Sequence, residues 1–301
     1  MAAMQHVLVL IAAPRLQPLD DSMVATAIEA MRAAGATVGA PRWLAPEEAA
    51  ELGFAGAAPA VRGAVERALA GRPVDVAALP AENRRKRLLI ADMDSTIVEN
   101  ETLDELAEAA GVGERVAAIT LRSMRGEIDF TAALRERVAM LAGLEAAALE
   151  RTAARIRVMP GAATLVRTMR RAGAYTALVS GGFRCFTSKV RARVGFDFDE
   201  ANDLLLQDDR LTGRVVEPII DRDGKRATLE RLVAARRIAL ADCLAVGDGA
   251  NDLAMIEAAG LGVAYHAKPI VAAAAAVRID HADLTGLLYA QGYTRAEFVT
   301  A

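Results

Sequence analysis

From Leu88 onward the chain repeats one pattern, a short continuous apolar run followed by a helical stretch. The runs are LLIA (88–91), YTALVS (175–180), LAVG (244–247) and GVAY (262–265). Strands that are apolar without alternation are buried on both faces, and helices between them are the crossovers of a parallel sheet. Open α/β sheets bind ligands beyond the carboxyl ends of their strands. Three of these runs end there in polar or glycine-rich turns, at 92–96, 180–182 and 247–252. Those turns should meet on one edge.

The interval between the first two runs is too long for one crossover helix. Residues 101–157 read as several short helices broken at Gly111, Gly126 and Gly143, which makes them a helical cap inserted at about 99–158 over the strand ends. Residues 204–216 read as a β-hairpin and the alanine run 272–276 as helix. Ahead of this block, strands are expected at 6–13, 36–44 and 74–79, with helices at 20–34 and 59–70. The expected organisation is a small α+β domain over 1–83 and a larger α/β domain over 84–301. The joining stretch AENRRKR (81–87) carries no interleaved aromatics and reads as a solvated linker rather than a nucleic-acid patch.

Composition narrows the function classes. A chain of 301 residues exceeds what one ordinary core needs, and a formal net charge of −3 gives no pull toward nucleic acid or an anionic membrane. Cys185 and Cys243 lack metal-site spacing, as do His6, His266 and His281, and two cysteines fit a reducing cytoplasm. The apolar run near the start is short, has no basic flank and reads as a strand rather than a leader, and no stretch approaches the ~20 apolar residues of a membrane span.

The sequence LLIADMDSTIVENE (88–101) ends a buried strand on Asp92 and Asp94, and VGDGANDLAM (246–255) adds Asp248 and Asp252 after another. Four carboxylates in one small space repel one another unless a cation sits among them. Magnesium is the expected ion, since it takes few carboxylates and keeps waters for a phosphate. Ser180-Gly181-Gly182, between a strand and a helix, lets backbone N–H groups approach an anion. Lys225 stands at the start of the helix KRATLERLVAARR, where a cation opposes the helix dipole unless an anion lies nearby.

Taken in order, DMDST, SGG, the lysine before a helix and GDGAND resemble the four motifs of the haloacid dehalogenase (HAD) superfamily of phosphatases. The longer stretches ADMDSTIVENE and AVGDGANDLAMIEAAG are similar to its phosphoserine phosphatase family, and the resemblance covers roughly 86–290. Met93, where that family commonly has phenylalanine, is one small departure. The resemblance implies a HAD-type Rossmann-like fold and magnesium-dependent hydrolysis of L-phosphoserine in the last step of serine biosynthesis. It makes Asp92 the nucleophile that forms an aspartyl phosphate and Asp94 the acid and base. Ser180, Gly181 and Lys225 would hold the phosphoryl oxygens. Asp92, the Asp94 carbonyl and Asp248 would bind magnesium, with Asn251 and Asp252 supporting that shell, the lysine and the substrate.

Substrate selection is expected from the cap. On the helix DFTAALRERVAML, at about 100° per residue, Phe130, Leu134, Arg137 and Leu141 share one face and Arg135 lies on the other. An arginine in an apolar stripe needs a partner, and its fork suits a carboxylate. The resemblance assigns the substrate carboxylate to Arg137, the ammonium to Glu101, and apolar pocket contacts to Met124 and Phe130. A cap ion pair for Arg137, a helix-terminal role for Glu101 and a core role for Met124 and Phe130 stay open on local grounds. The strand–helix–strand start resembles an ACT-type regulatory domain, and a homodimer is compatible with the sequence. Competing readings are a phosphatase or phosphotransferase for another small phosphorylated metabolite, and an amino-acid sensor with a vestigial phosphatase fold.

Overall fold

A computed structural model describes residues 4–125 and 127–300, apart from the Met124 side chain. Strands β1 (His6–Ala12), β2 (Thr37–Ala45), β3 (Ala49–Ala55) and β4 (Val74–Pro80) form an antiparallel sheet in the order β2-β3-β1-β4. Along β1, Leu8 and Leu10 pack with Met31 of α1 (Asp21–Ala33) and Val61 and Val65 of α2 (Ala58–Ala68). The intervening Val7, Val9 and Ile11 point to the other face, because side chains alternate along a strand. Strand β3 was not expected. Its sequence AAELGFA is alanine-rich and broken by glycine, and only pairing with β1 and β2 makes it a strand.

The second sheet is parallel. Its strands are β5 (Leu88–Ala91), β6 (Tyr175–Phe183), β7 (Phe198–Asn202), β10 (Cys243–Gly247), β11 (Leu261–Tyr265) and β12 (Val277–Ile279), ordered β12-β11-β10-β5-β6-β7. The hairpin is β8 (Leu204–Gln207) with β9 (Arg210–Val215). Leu88 and Ile90 pack with α9 (Arg222–Arg236) and α10 (Leu253–Ala258), while Leu89 and Ala91 join α7 (Ala162–Arg171), α8 (Arg184–Val194) and α12 (Gly286–Ala290). That burial on both faces explains the unbroken apolar run. The helix expected over 272–276 stops early: α11 (Pro269–Ala274) gives way to extended chain at Ala275, leading into β12.

The cap is four helices, α3 (Thr102–Ala109), α4 (Gly113–Met124), α5 (Phe130–Ala139) and α6 (Ala147–Arg155). Gly111 (φ +70°) and Gly143 (φ +83°) turn the chain between them in the left-handed region that glycine tolerates, while the break at Gly126 lies outside the described residues. The chain enters and leaves the cap side by side, through an antiparallel bridge of Val98 with Val158. Flanking bonds join Glu99 N–H to the Arg157 carbonyl and Met159 N–H to that of Ile97 (both 2.9 Å).

The expected solvated linker is corrected. From Asn83 on, its residues alternate between surface and interior. Arg85 and Arg87 are exposed, whereas Arg84 is turned in against Glu51 (2.8 Å) and the Ala290 carbonyl, and Lys86 is buried. The stretch is pinned between the sheets because both ends of it abut packed strands.

Candidate active site

Strand β5 lies between β10 and β6, so its carboxyl end is flanked by theirs. Asp92 continues the pairing with one bond from its N–H to the Val246 carbonyl (3.0 Å). Asp248 leaves β10 beside it, and Asp252 follows on the next turn. One carboxylate oxygen each from Asp92, Asp248 and Asp252 lies within 4.8 Å of the others, and all three residues are buried. Two close approaches shape this turn. A Cβ on Gly247 would fall 2.4 Å from the Asp252 carboxyl carbon, and one on Gly249 would fall 2.6 Å from Asn251 Oδ1.

A single buried cation answers these acids. Lys225 Nζ donates to Asp92 Oδ1 and Asp252 Oδ1, each at 2.6 Å, from a side chain with no exposed surface. Burial opposes its charge, but Asp252 and Asp92 overcome this and hold its pKa above the ordinary value. Both oxygens of Asp252 already accept a bond, since Oδ2 takes the Gly249 N–H (3.0 Å). Asp248 Oδ1 accepts from the buried Thr96 hydroxyl (3.0 Å). The Oδ2 atoms of Asp92 and Asp248 have no donor among the described residues.

The electrostatics remain unbalanced. Burial, then repulsion from Asp252 and Asp248, push Asp92 up to about 8 despite Lys225. Burial and Asp252 push Asp248 up to about 6. An all-oxygen donor set with more negative than positive charge fits a hard dication, with Asp92 and Asp248 offering free oxygens and Asp252 holding the lysine. Among the described residues this is the only group of acidic, histidine or cysteine side chains that could hold a metal ion.

Asp94 faces the same space. Burial, then Glu101 and Asp92, push its carboxyl well above the usual range, against hydrogen bonds from Thr102. Opposite it, Ser180 Oγ accepts from the Gly182 N–H (2.9 Å). Gly181 is tight, since a Cβ there would fall 2.8 Å from Phe130 of the cap. Its carbonyl accepts from Asn202 Nδ2 (2.8 Å), whose Oδ1 in turn accepts from Ile220 N–H (2.6 Å).

Asp92, Asp94, Asp248, Glu101, Phe130 and Arg137 line one cavity of about 480 Å³. Ser180, Gly181 and Asn251 share its wall. Lys225 does not, and stands behind Asp92 instead. Glu101 is the residue before α3, but its carboxylate makes no capping bond and accepts from the Ser95 hydroxyl (2.7 Å). Ser95 holds a left-handed backbone (φ +54°). Arg137 is half-buried and pairs with no carboxylate among the described residues. Its contacts are the Ala133 carbonyl (3.3 Å) and the Thr120 hydroxyl (3.5 Å). Burial depresses its pKa, while Asp104 and Glu101 counteract. The Met124 side chain lies outside the described ones. Met93 is fully buried, so the exchange for phenylalanine stays within the core.

Thr96, Thr102 and Asn202 were missed in the sequence, as were Arg222 and Lys268 on the cavity wall. Nothing in a lone threonine or asparagine announces which carboxylate or carbonyl the fold brings to it. Arg222 did carry a signal, as a second cation in the first turn of α9.

A sequence profile of haloacid dehalogenase-like hydrolases matches residues 89–257. The phosphoserine phosphatase of Streptomyces coelicolor is 44% identical over 238 residues, covering 79% of this chain and 58% of that protein. The phosphoserine phosphatase of Streptococcus thermophilus is 46% identical over 199 residues, covering 66% of this chain and 93% of that protein. The crystal structure of a HAD family hydrolase from Salmonella enterica serovar Typhi superposes with a TM-score of 0.84 at 28% identity, over 95% of this chain and 98% of the other. Against three curated relatives the chain spans only 53% to 60% of their length. Since the matched span runs from β5 into α10 and holds all four clustered aspartates, the chain belongs to the haloacid dehalogenase-like hydrolase family.

Proposed function

We propose that this chain hydrolyses L-phosphoserine to L-serine and phosphate through an aspartyl phosphate on Asp92. The observation that carries this reading is the shared cavity. Arg137, a half-buried cation with no carboxylate partner among the described residues, and Glu101, an acid not used to cap its helix, both face the space lined by Asp92 and Asp94. A substrate with one carboxylate and one ammonium satisfies both.

In this mechanism an Asp92 oxygen forms a bond to phosphorus as the serine oxygen–phosphorus bond breaks. Asp94 delivers its proton to that departing oxygen. The Ser180 hydroxyl and Gly181 N–H donate to the phosphoryl oxygens. Lys225 favours the ionised form of Asp92 against burial and repulsion, and adds its charge from behind. Asp94 then takes a proton from water as the water oxygen bonds to phosphorus and frees Asp92. Magnesium, held by Asp92, Asp248 and the Asp94 main-chain carbonyl, would neutralise carboxylates and phosphoryl oxygens together. Residues 1–83 form an ACT-like unit set on the phosphatase unit 84–301 in this reading.

The test is release of inorganic phosphate from L-phosphoserine, phosphothreonine and glycerol phosphate, with magnesium and with chelator. Phosphoserine should exceed glycerol phosphate by at least about tenfold, as expected when a site's charged groups lose their partners, while phosphothreonine keeps both groups and tests the room for its extra methyl. Equal rates on all three would remove the serine assignment, and chelator-insensitive turnover would remove the metal.

A further inference from the structure

Thr102 is the first residue of α3, next to Glu101, and its side chain is fully buried. Its hydroxyl donates to Asp94 Oδ2 (3.1 Å), and its main-chain N–H makes a longer bond to Asp94 Oδ1 (3.4 Å). No other group among the described residues donates to that carboxyl. The opposite wall is Gly182, where an added Cβ would fall 3.1 Å from Asp94 Oδ2 and 3.6 Å from Thr102 Oγ1. Asp94 is therefore enclosed by the cap on one side and the sheet on the other.

The terminal torsion of an aspartate is broad, so an unheld carboxyl swings. Proton transfer needs that group aligned with the departing oxygen. We propose that Thr102 is a positioning residue, which clamps the Asp94 carboxyl to the first turn of the cap and aligns it for proton delivery to the leaving alkoxide. This rests on the reading of Asp94 as general acid. Because Glu101 and Thr102 are consecutive, the helix terminus that faces the substrate also orients the acid. The step balances: the Asp94 O–H proton goes to the serine oxygen, which takes the electron pair of the breaking bond, while Asp92 forms the new bond to phosphorus.

The role predicts a dependence on the leaving group. An alkoxide needs the proton, whereas p-nitrophenolate leaves without one. Thr102→Val and Thr102→Ala remove the hydroxyl, and Thr102→Ser keeps it. In the full chain with magnesium, both hydroxyl-free variants should lose about tenfold to a hundredfold in kcat on phosphoserine, with KM within about threefold. The pre-steady-state release of p-nitrophenolate, which precedes the water attack that also uses Asp94, should slow by less than about threefold, which also shows that the variants are folded. Thr102→Ser should stay within about threefold of the parent on both esters. A p-nitrophenolate release step slowed as much as phosphoserine turnover, a change confined to KM, no loss at all, or a serine variant as poor as the valine one would each overturn the assignment. Should the parent chain not hydrolyse phosphoserine, the functional reading falls, and the same split measured on glycerol phosphate against p-nitrophenyl phosphate still decides the role of Thr102.

Discussion

Two lysines are buried at opposite ends of the parallel sheet, and they are held in different ways. Lys225, beyond the carboxyl ends, has no exposed surface and donates to two carboxylates. Lys86, just before β5, is 9% exposed and donates to two main-chain carbonyls, of Asn83 (2.6 Å) and Ala241 (2.7 Å). Carbonyl dipoles satisfy an ammonium without matching its charge. Burial accordingly lowers the pKa of Lys86 despite Asp242 nearby, while carboxylates raise that of Lys225. The difference separates a strut from a working group. Lys86 ties the joining stretch to the foot of the sheet. The partners of Lys225 belong to the candidate chemistry, so removing it unbalances the acids and, in the proposed mechanism, weakens Asp92 as nucleophile.

The largest effect is expected at Lys225. Lys225→Met leaves Asp92 and Asp252 buried without their cation, which should cost about 3–5 kcal/mol in denaturant unfolding. Phosphate release should fall by about 10²- to 10³-fold, the scale of losing an electrostatic contact to a reacting group. A variant that kept its rate within tenfold would make Lys225 a strut like Lys86, and the contrast would collapse.

Arg137 sharpens the comparison, because it is a third inward cation answered by neither arrangement. Among the described residues its two contacts are long and neutral, and no carboxylate pairs with it. In the proposed reading the missing partner is the substrate's own carboxylate. Arg137→Ala should raise KM for phosphoserine about 10- to 100-fold, the worth of a charge-assisted hydrogen-bonded pair, while unfolding midpoints barely move. A large loss of stability with KM unchanged would return Arg137 to the cap as a structural cation.

What could be read from the sequence follows the same physics. Asp92, Asp94, Asp248 and Asp252 were legible because each stops or follows an apolar run, where a charge has no structural reason to be. Lys225 was legible because a cation in a first helical turn calls for an anion. Arg137 stood out from Arg135 by helical period alone. Lys86 and Arg84 were not legible, since tertiary packing alone turns alternate members of a basic run inward. Strand β3 was hidden for a related reason: its register with β1 and β2 is non-local, and its alanines fit a helix as readily. Thr102 points the same way, because its bond to Asp94 joins two turns brought together only when the cap folds over the strand end.

Lys86→Met tests the strut directly. Methionine fills similar space and leaves the Asn83 and Ala241 carbonyls without their donor, at about 1–3 kcal/mol in urea unfolding. The kcat/KM should stay within about twofold, as befits a change remote from the reacting groups. A drop in kcat matching that of Lys225→Met would show that both ends of the sheet serve the chemistry and would dissolve the distinction.

The smallest effect should come from Arg135, two residues before Arg137 on α5. Its side chain is 56% exposed and already bonds Glu217 (2.6 Å) on the surface. Water screens that pair, and holding two long side chains together offsets much of its attraction, so Arg135→Ala should change stability by less than about 0.5 kcal/mol. Since its charge faces away from the cavity, KM should not move either. The two arginines share a helix, a charge and nearly a position, and they differ in burial and in having a carboxylate partner. A KM shift from Arg135→Ala as large as that from Arg137→Ala would mean that the field of the cap, rather than one inward guanidinium, selects the substrate.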